Sequence, residues 1–449
     1  MRPVPALALL VLVPVSAQAA PKPDPIAEIA GEISAKNIEA TVRKLVSFRT
    51  RHTLSETTSD ERGIGAARRW IKGELDRYSR EAGGRLEVTL DEFITPAGRR
   101  VPRPTPIVNV VATLPGTQKE ARDRLYVVSG HYDSRASDPE DANSDAPGAN
   151  DDASGTAAVL ELARVMSKRS FDATLVFLAV AGEEQALLGS THWASAAAEK
   201  KLAIAGMITN DIIGNTRDRD GHVDRTHVRL FAEGIAAGDK SPETLALLRT
   251  GGENDGPTRQ LARAIKELGE KYVAGLTVNV VYRRDRYLRS GDHAPFLDRG
   301  YPAVRLTEPV EDYRHQHEDV RNEHGVVYGD TVDLVDFAYV AQVARVDAAA
   351  LAGLALAPAV PTQVELETAR LENHSTLRWQ ANREPDVTGY RIVWRETTAP
   401  FWQQHADVGK VTHFTVKGVS KDNVVFGVQA VDAGGHVSPA AYPRPARAP

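Results

Sequence analysis

Cysteine is absent from this chain of 449 residues, and several kinds of chemistry are excluded with it. Without thiols the protein can form no disulfide, cannot bind a metal through thiolates and cannot use a cysteine nucleophile. Any metal must therefore be bound by histidine, aspartate and glutamate side chains. The sequence contains 13 histidines and 60 acidic residues that could serve.

A strong charge of either sign is also lacking, since the formal net charge is only −5. Such a mild balance gives no reason to expect a nucleic-acid partner or binding to an anionic membrane. The hydrophobic content of 42% and the charged content of 26% are ordinary for a globular protein. The length exceeds what one hydrophobic core usually spans, so we predict two or three domains.

The one long apolar run lies at the amino terminus. A basic residue, Arg2, precedes apolar residues 6–13, and Ala17-Gln18-Ala19 has the small-x-small pattern of a cleavage site. We therefore predict that residues 1–20 are a signal peptide and that the protein is secreted or periplasmic. Because Pro14 interrupts the run, it falls short of the length that a membrane span needs. We expect no membrane span elsewhere.

Strand and helix patterns alternate between Pro25 and Leu356. Residues 174–180 are a nearly continuous apolar run, which is typical of a central strand covered on both faces. A buried helix near 155–169 separates this run from an earlier strand at 124–129, which gives a strand, helix, strand unit. We predict one α/β domain over residues 25–356, with a mixed, mainly parallel sheet flanked by helices.

The pattern changes after a short proline-containing linker at residues 357–361. Short alternating segments separated by turns then predict a small all-β sandwich over residues 362–449. The segments LRWQ, GYRIVWR and FGVQAVDAGGHVSP resemble a fibronectin type III domain, with Trp379 and Tyr390 in its core. We expect this domain to pack against or space the α/β domain; the alternatives are that it contacts a polymer or cell surface or is removed by processing.

Residues that could bind a metal follow the predicted strands. His131 and Asp133 occur in HYDS, Asp151 in PGANDDASG, and Glu183 and Glu184 in GEEQALLGS. In open α/β sheets ligands bind beyond the carboxyl ends of the strands. Taken alone, an H-x-D motif or a Glu-Glu pair is more often a solvated loop or helix start. Adjacent residues leaving a strand point to different sides, so one glutamate could bind metal while the other faces a reacting water.

Later fragments extend this set of side chains. Asp211 follows a predicted strand in NDI, and His315 and His317 occur in RHQHEDV. Two histidines from distant fragments, together with three carboxylates, form a nitrogen and oxygen ligand set that suits zinc. Magnesium would rarely recruit two histidines. The complete set therefore predicts a zinc site.

The motifs HYDS, PGANDDASG, GEEQALLGS, NDI, SGDHAPF and a late H-x-x-x-D resemble, in order, those of the co-catalytic di-zinc aminopeptidases. These are exported bacterial leucyl-type enzymes, related to glutaminyl cyclases and glutamate carboxypeptidases. The resemblance spans roughly residues 48–356 and implies a zinc exopeptidase-like fold with two Zn²⁺ per chain. By motif position it implies the ligands His131, Asp151 bridging both metals, Glu184, Asp211 and His315, with Asp133 hydrogen-bonded behind His131, Glu183 as general base, and Asp292 and His293 as support.

The last ligand is open, because His315 and His317 both precede Asp319. The family spacing H-x-x-x-D favours His315, with His317 as the alternative. Two further positions depart from the family pattern: Asn150 stands where relatives often have aspartate, and Asn210 stands where an apolar residue is common. Neither departure removes a ligand.

The resemblance implies that a hydroxide bridging two zincs attacks the scissile carbonyl while Glu183 transfers the proton to the leaving amine. We expect peptides with a free amino terminus as substrates and a monomeric protein. Arg283, Arg286 and Tyr287 could contact the substrate or belong to an ordinary solvated loop. The alternatives are a glutaminyl cyclase-like enzyme with one zinc, a carboxypeptidase-like enzyme, and a catalytically silent binding protein.

Overall fold

Strands and helices alternate through the first part of the chain and give way to strands alone after Leu356. The computed structural model describes residues 24–236 and 238–446. The predicted signal peptide at residues 1–20 lies outside the described residues. The change of structure falls between Leu356 and Thr362, where the sequence predicts a linker.

A central sheet of eight strands forms the first part. The strands are β1 (Glu87–Thr95), β2 (Thr105–Leu114), β3 (Arg124–His131), β4 (Thr174–Val180), β5 (Ala203–Asn210), β6 (His227–Ala232), β7 (Thr277–Val281) and β8 (Ala303–Thr307). Their order is β1-β2-β4-β3-β5-β8-β6-β7. The central run β4-β3-β5-β8 is parallel, as is β6 with β7, whereas the other neighbours are antiparallel. The predicted mixed sheet is confirmed.

Helices cover both faces of this sheet. They are α1 (Pro25–Gly31), α2 (Ala35–Val46), α3 (Gly63–Glu81), α4 (Ala153–Met166), α5 (Leu188–Glu199), α6 (Pro242–Arg249), α7 (Pro257–Tyr272), α8 (Ala294–Leu297) and α9 (Phe337–Leu356). Several begin at a residue whose side chain accepts a hydrogen bond from a backbone N–H in the first turn: Ser34 on α2, Asp152 on α4, Ser241 on α6 and Asp336 on α9. Such caps satisfy N–H groups that have no partner within the helix.

The alternation of side chains along β4 builds a core on each face. Phe177 packs with the larger cluster, toward α4 and α9, while Leu178 packs with the smaller cluster, toward α5 and α8. Every residue of β4 is buried, which explains its unbroken apolar run. Burying each large apolar side chain stabilises the fold by about 1.5–3 kcal/mol. The core therefore holds the strand ends rigidly in place.

Helix α9 lies within the larger core. Among the described residues it is the one helix long and apolar enough to cross a membrane, which the sequence analysis did not single out. However, 83% of the most apolar stretch of this helix is buried inside the protein, where the helix packs against α1, α2, α4 and α7. Core packing accounts for its apolar composition.

The carboxy-terminal part consists of short strands. They are β11 (Thr362–Glu367), β12 (Ser375–Gln380), β13 (Val387–Glu396), β14 (Gln404–Gly409), β15 (His413–Val416), β16 (Val424–Asp432) and β17 (Arg444–Ala446). They form two sheets, β15-β12-β11-β17 and β14-β13-β16, and Trp379 and Tyr390 lie in their common core with ring centroids 5.2 Å apart. The predicted all-β fold is confirmed, while its assignment to the fibronectin type III family stays a prediction. A separate hairpin, β9 (Arg321–Glu323) and β10 (Val326–Tyr328), precedes α9.

Candidate metal centre

The carboxyl ends of β3, β4 and β5 bring the candidate ligands together. His131 is the last residue of β3, Asp211 directly follows β5, and Glu183 and Glu184 follow β4 after a short turn. Because β3 lies between β4 and β5 and is parallel to both, the three ends meet at one edge of the sheet. The site therefore lies where the sequence analysis placed it.

Two groups of possible ligands share Asp151. His131 Nε2 lies 3.1 Å from Asp151 Oδ1 and 4.0 Å from Asp211 Oδ1. His317 Nε2 lies 3.1 Å from Asp151 Oδ2 and 3.3 Å from Glu184 Oε1. Within each group one ligand atom per residue lies within 4.8 Å of the others. Asp151 thus presents one oxygen to each group, as a bridging carboxylate does.

His317 completes the second group, and the choice of His315 was wrong. His315 Nδ1 lies 3.0 Å from the carbonyl oxygen of Gly329, and its Nε2 lies 3.6 Å from Asp312 Oδ2. Both histidines lie in a turn, and His317 has a left-handed backbone with φ of +59°. In such a turn the spacing to a later aspartate does not determine which side chain points into the site.

Asp133 lies behind His131, whose Nδ1 is 3.2 Å from the Asp133 backbone oxygen; the predicted hydrogen bond to the carboxylate is not formed. The side chain is fully buried, and its Oδ1 lies 3.6 Å from His131 Nδ1. It also accepts hydrogen bonds from the backbone N–H groups of Glu183 at 3.3 Å and Glu184 at 3.2 Å, and from the Thr53 hydroxyl at 3.0 Å. The carboxylate therefore positions the turn that carries both glutamates, directly behind His131.

Two acids that the sequence analysis did not select hold the backbone around Asp151. Asp152 Oδ2 accepts a hydrogen bond from His131 N at 3.0 Å, and its Oδ1 helps to cap α4. Asp330 Oδ2 accepts from Asp151 N at 2.6 Å and from Asn150 N at 2.8 Å. Asp152 lies inside the motif PGANDDASG and could have been recognised there. Asp330 follows the β9–β10 hairpin, where no motif marks it.

A buried arginine, Arg305 on β8, also escaped the sequence analysis. Its Nη2 lies 2.9 Å from Asp211 Oδ1, and its Nη1 lies 3.0 Å from Asp285 Oδ2. Burial raises the pKa of Asp211, although the guanidinium of Arg305 opposes that shift. Arg305 therefore stabilises the ionised form of one predicted ligand within a fully buried environment.

The carboxylates of the site favour positive charge on the two neighbouring histidines, His131 and His317. Burial lowers the pKa of His317, but Glu184 and Asp151 outweigh it and raise that pKa to about 10. Burial likewise opposes ionisation of His131, yet Asp133 and Asp151 raise its pKa well above the usual value. Histidine binds metal through a neutral ring, so a cation would take the place of these protons. This nitrogen and oxygen set therefore fits zinc in both groups.

Glu183 faces a cavity of about 460 Å³ that Asp151, Glu184, Asp211 and His317 also line. Burial raises the pKa of Glu183 well above its usual value; His131 opposes this shift, whereas Asp211 and Glu184 add to it. A carboxyl group with a raised pKa next to possible metal ligands can accept a proton and return it. The predicted base thus lies beside both groups.

Of the remaining residues that the sequence analysis singled out, one lines this cavity and the others do not. Asp292 and His293 are buried and belong to neither ligand group of the described structure, and their supporting role stays a prediction. Arg286 lines the cavity. Arg283 instead stacks on the ring of Tyr287, which is 79% exposed. Of the three loop residues, one therefore reaches the site.

Comparison with known proteins assigns the family. The model described as "Peptidase family M28" matches residues 109–325, which include both ligand groups. A "Probable zinc metalloprotease" of Leptosphaeria maculans is 47% identical over 92% of this chain and 95% of its own. Another of Pyricularia oryzae is 48% identical over 92% of this chain and 83% of its own. These relatives are fungal, so the expected bacterial origin is not supported.

Solved structures agree with the fold. The Legionella pneumophila LapA aminopeptidase has a TM-score of 0.51 and 20% identity, covering 73% of this chain and 74% of its own. An aminopeptidase from Aneurinibacillus sp. strain AM-1 has a TM-score of 0.50 and 17% identity, covering 73% of this chain and 95% of its own. The close sequence relatives, the matched model and the shared fold lead to one assignment: the chain belongs to peptidase family M28 and is a zinc metallopeptidase.

Proposed function

We propose that this metallopeptidase is an exported aminopeptidase that uses two zinc ions per chain to remove amino-terminal residues from peptides. One observation carries the proposal: the two oxygens of Asp151 face two separate ligand groups, and Glu183 lines the same cavity. The solved structures with this fold include proteins titled aminopeptidases. The motif at residues 1–20 supports export.

In this proposal the two groups divide the metals between them. His131, Asp151 and Asp211 would hold one ion, and Asp151, Glu184 and His317 would hold the other. When bound, paired zinc ions act as Lewis acids and lower the pKa of water, which makes a nucleophile available at neutral pH. The arrangement favours two metals over the single zinc expected of a glutaminyl cyclase-like enzyme.

Glu183 moves the proton. Its carboxylate accepts a proton from the attacking water and gives that proton to the leaving amine as the peptide bond breaks. Burial raises the pKa of Glu183, which favours its taking up a proton in the first of these steps. The Asp133 carboxylate accepts a hydrogen bond from the backbone N–H of Glu183 at 3.3 Å. This contact fixes the position of Glu183 relative to His131.

Replacing the base tests the proposal. Glu183→Gln should lower hydrolysis of aminoacyl-nitroanilides by about 100-fold or more, because general acid–base catalysis contributes on that scale. Zinc content, measured by mass spectrometry, should stay at two per chain, because Glu183 belongs to neither ligand group. The matched control is Glu199→Gln, an exposed position on α5.

Full activity in Glu183→Gln would remove Glu183 as the base. The reaction class is tested separately with the wild-type protein: acetylation of the substrate's amino terminus should abolish hydrolysis. Continued cleavage of amino-blocked peptides from their carboxy terminus would instead favour the carboxypeptidase-like alternative.

A further inference from the structure

Charged side chains make up most of the wall of the cavity that contains Glu183. Four arginines line it: Arg100, Arg135, Arg286 and Arg289. Its apolar lining among the described residues is limited to Ala186 and Leu187. A pocket for a leucyl side chain would be lined mainly by apolar groups. The cavity wall therefore favours a substrate with a different chemistry.

Two of these arginines share one carboxylate partner, Glu311. Arg286 Nη1 lies 3.0 Å from Glu311 Oε2, and Arg289 Nη2 lies 2.5 Å from the same oxygen. Arg229 pairs with the other oxygen of Glu311 at 2.7 Å. These contacts fix the positions of Arg286 and Arg289, and three arginines on one carboxylate leave an excess of positive charge beside the cavity.

Arg100 and Arg135 differ in this respect. Arg100 Nη1 donates a hydrogen bond to the backbone oxygen of Glu184 at 2.9 Å, and no carboxylate of the described chain lies within 4.0 Å of it. Arg135 Nη1 has Glu184 Oε2 at 3.8 Å as its carboxylate partner. Glu184 belongs to a ligand group, so a bound metal would take up its negative charge.

Both guanidinium groups lie beside Glu184: Arg100 contacts its backbone oxygen, and Arg135 lies near its side-chain carboxylate. The Arg135 side chain is only 13% exposed, so its charge is weakly screened by water. A guanidinium presents several N–H donors in a plane that matches a carboxylate, and such charge-assisted pairs are stronger than neutral hydrogen bonds. With metals in place, the Arg100–Arg135 pair is left with positive charge facing the cavity.

We propose that Arg100 and Arg135 bind a carboxylate of the peptide substrate next to the bond that is cut. This inference rests on the proposed aminopeptidase function and specifies its substrate class. The carboxylate can be the side chain of the first residue, the side chain of the second residue, or the terminal carboxylate of a dipeptide. All three present the same chemical group to the arginine pair.

Matched substrates separate these sources. Values of kcat/KM for the zinc-loaded full chain are compared between Asp-Ala-amide and Asn-Ala-amide, between Ala-Asp-amide and Ala-Asn-amide, and between Ala-Ala and Ala-Ala-amide. In at least one pair the member with the carboxylate should be preferred by about tenfold or more, the scale of a hydrogen bond to a charged group. The pair that shows the preference identifies the source.

Variants then connect the preference to the arginines. Arg100→Gln and Arg135→Gln should each lower the acid-to-neutral ratio of kcat/KM by about tenfold. Arg100→Lys and Arg135→Lys keep the charge and should retain part of the ratio, which also provides a folded variant if a glutamine is not tolerated. Arg391→Gln on β13, which pairs with Asp407 at 2.7 Å, is the control and should leave the ratio unchanged.

The outcomes separate this inference from the function on which it rests. If neutral substrates with a free amino terminus are hydrolysed but no pair shows a preference, or if the glutamine variants keep the wild-type ratio, the inference is overturned and the aminopeptidase stands. If no substrate with a free amino terminus is hydrolysed in the presence of zinc, both are overturned.

Discussion

Asp151 is the residue on which the candidate centre depends. Its backbone N–H donates to Asp330 at 2.6 Å, and Gln316 Nε2 donates to its Oδ2 at 3.0 Å. Burial raises the pKa of Asp330 to about 7. These contacts orient one carboxylate toward two histidines from different parts of the chain, so the loss of either histidine should affect one metal position more than the other.

Replacing the two nearby histidines distinguishes their roles. His317→Ala should lose one of two zinc ions and lower activity by about 100-fold or more, since even partners behind a ligand contribute 10–100-fold. His315→Ala is the matched control two residues away and should keep both ions. Zinc per chain is measured by inductively coupled plasma mass spectrometry after dialysis. Loss of zinc from His315→Ala alone would contradict the observed geometry.

Helix α9 and strand β5 each carry a polar side chain, Asp347 and Asn210, that is buried within the core. Asp347 on α9 is fully buried, and burial raises its pKa to about 8, with the Asn210 side chain opposing the shift. Asn210 directly precedes Asp211 at the end of β5. The unexpected asparagine at position 210 therefore faces an equally unexpected acid in an apolar helix.

The raised pKa makes Asp347 a source of pH dependence. In the unfolded chain this carboxyl group ionises near pH 4, whereas in the folded protein it stays protonated up to about pH 8. The folded state then binds the extra proton, so the contribution of Asp347 to stability falls as pH rises from 4 to 8. One ionising group can change the free energy of unfolding by at most about 1.4 kcal/mol per pH unit.

Asp347→Asn removes this ionisation while keeping the shape of the side chain. Relative to wild type, the variant should gain stability as pH rises from 4 to 8, because ionisation of Asp347 favours the unfolded wild-type chain in this range and asparagine cannot ionise. Urea unfolding at intervals across this range measures the difference. Asp123→Asn, at an exposed position, is the control and should show little pH-dependent difference. A stability difference for Asp347→Asn that does not vary with pH would contradict the prediction.

Across the whole molecule, buried ion pairs join the two parts of the chain. Asp255 lies between Arg263 Nη1 at 3.0 Å and Arg395 Nη2 at 2.6 Å, all three being nearly inaccessible. Arg124 Nη1 lies 3.1 Å from Glu384 Oε1. Arg124 begins β3, whereas His131 ends it, so this contact lies at the opposite end of the strand from the metal centre. The described residues of the β-only part therefore contact the sheet away from the cavity that contains Glu183.

Removing the shared carboxylate should weaken this junction. Asp255→Ala leaves two buried guanidinium groups without their partner, and breaking a buried pair in this way costs about 3–5 kcal/mol. We expect a lower free energy of unfolding and faster proteolysis at residues 357–361. Asp407→Ala, which breaks the more exposed pair with Arg391, is the control and should cost about 1 kcal/mol or less. Equal stability and equal proteolysis of the two variants would contradict the role assigned to Asp255.

Local sequence patterns were sufficient to predict much of the fold and the position of the site. The apolar run of β4 predicted a central strand, because a strand covered on both faces must be apolar throughout. His131 and Asp211 were placed correctly at strand ends, since parallel strands bring their carboxyl ends to one edge. The α/β class and the later β-only part were likewise readable from periodicity and turn residues.

Only the tertiary structure decided the contacts that periodicity does not encode. The structure places His317 rather than His315 in the second ligand group. Both histidines lie in an irregular turn, where the direction of a side chain depends on the local backbone and not on a fixed repeat. Asp330 reaches Asp151 across 179 residues, and Arg100 meets Glu184 across 84. Such pairs form when loops from distant segments pack at one sheet edge, and no spacing within a single segment records that approach.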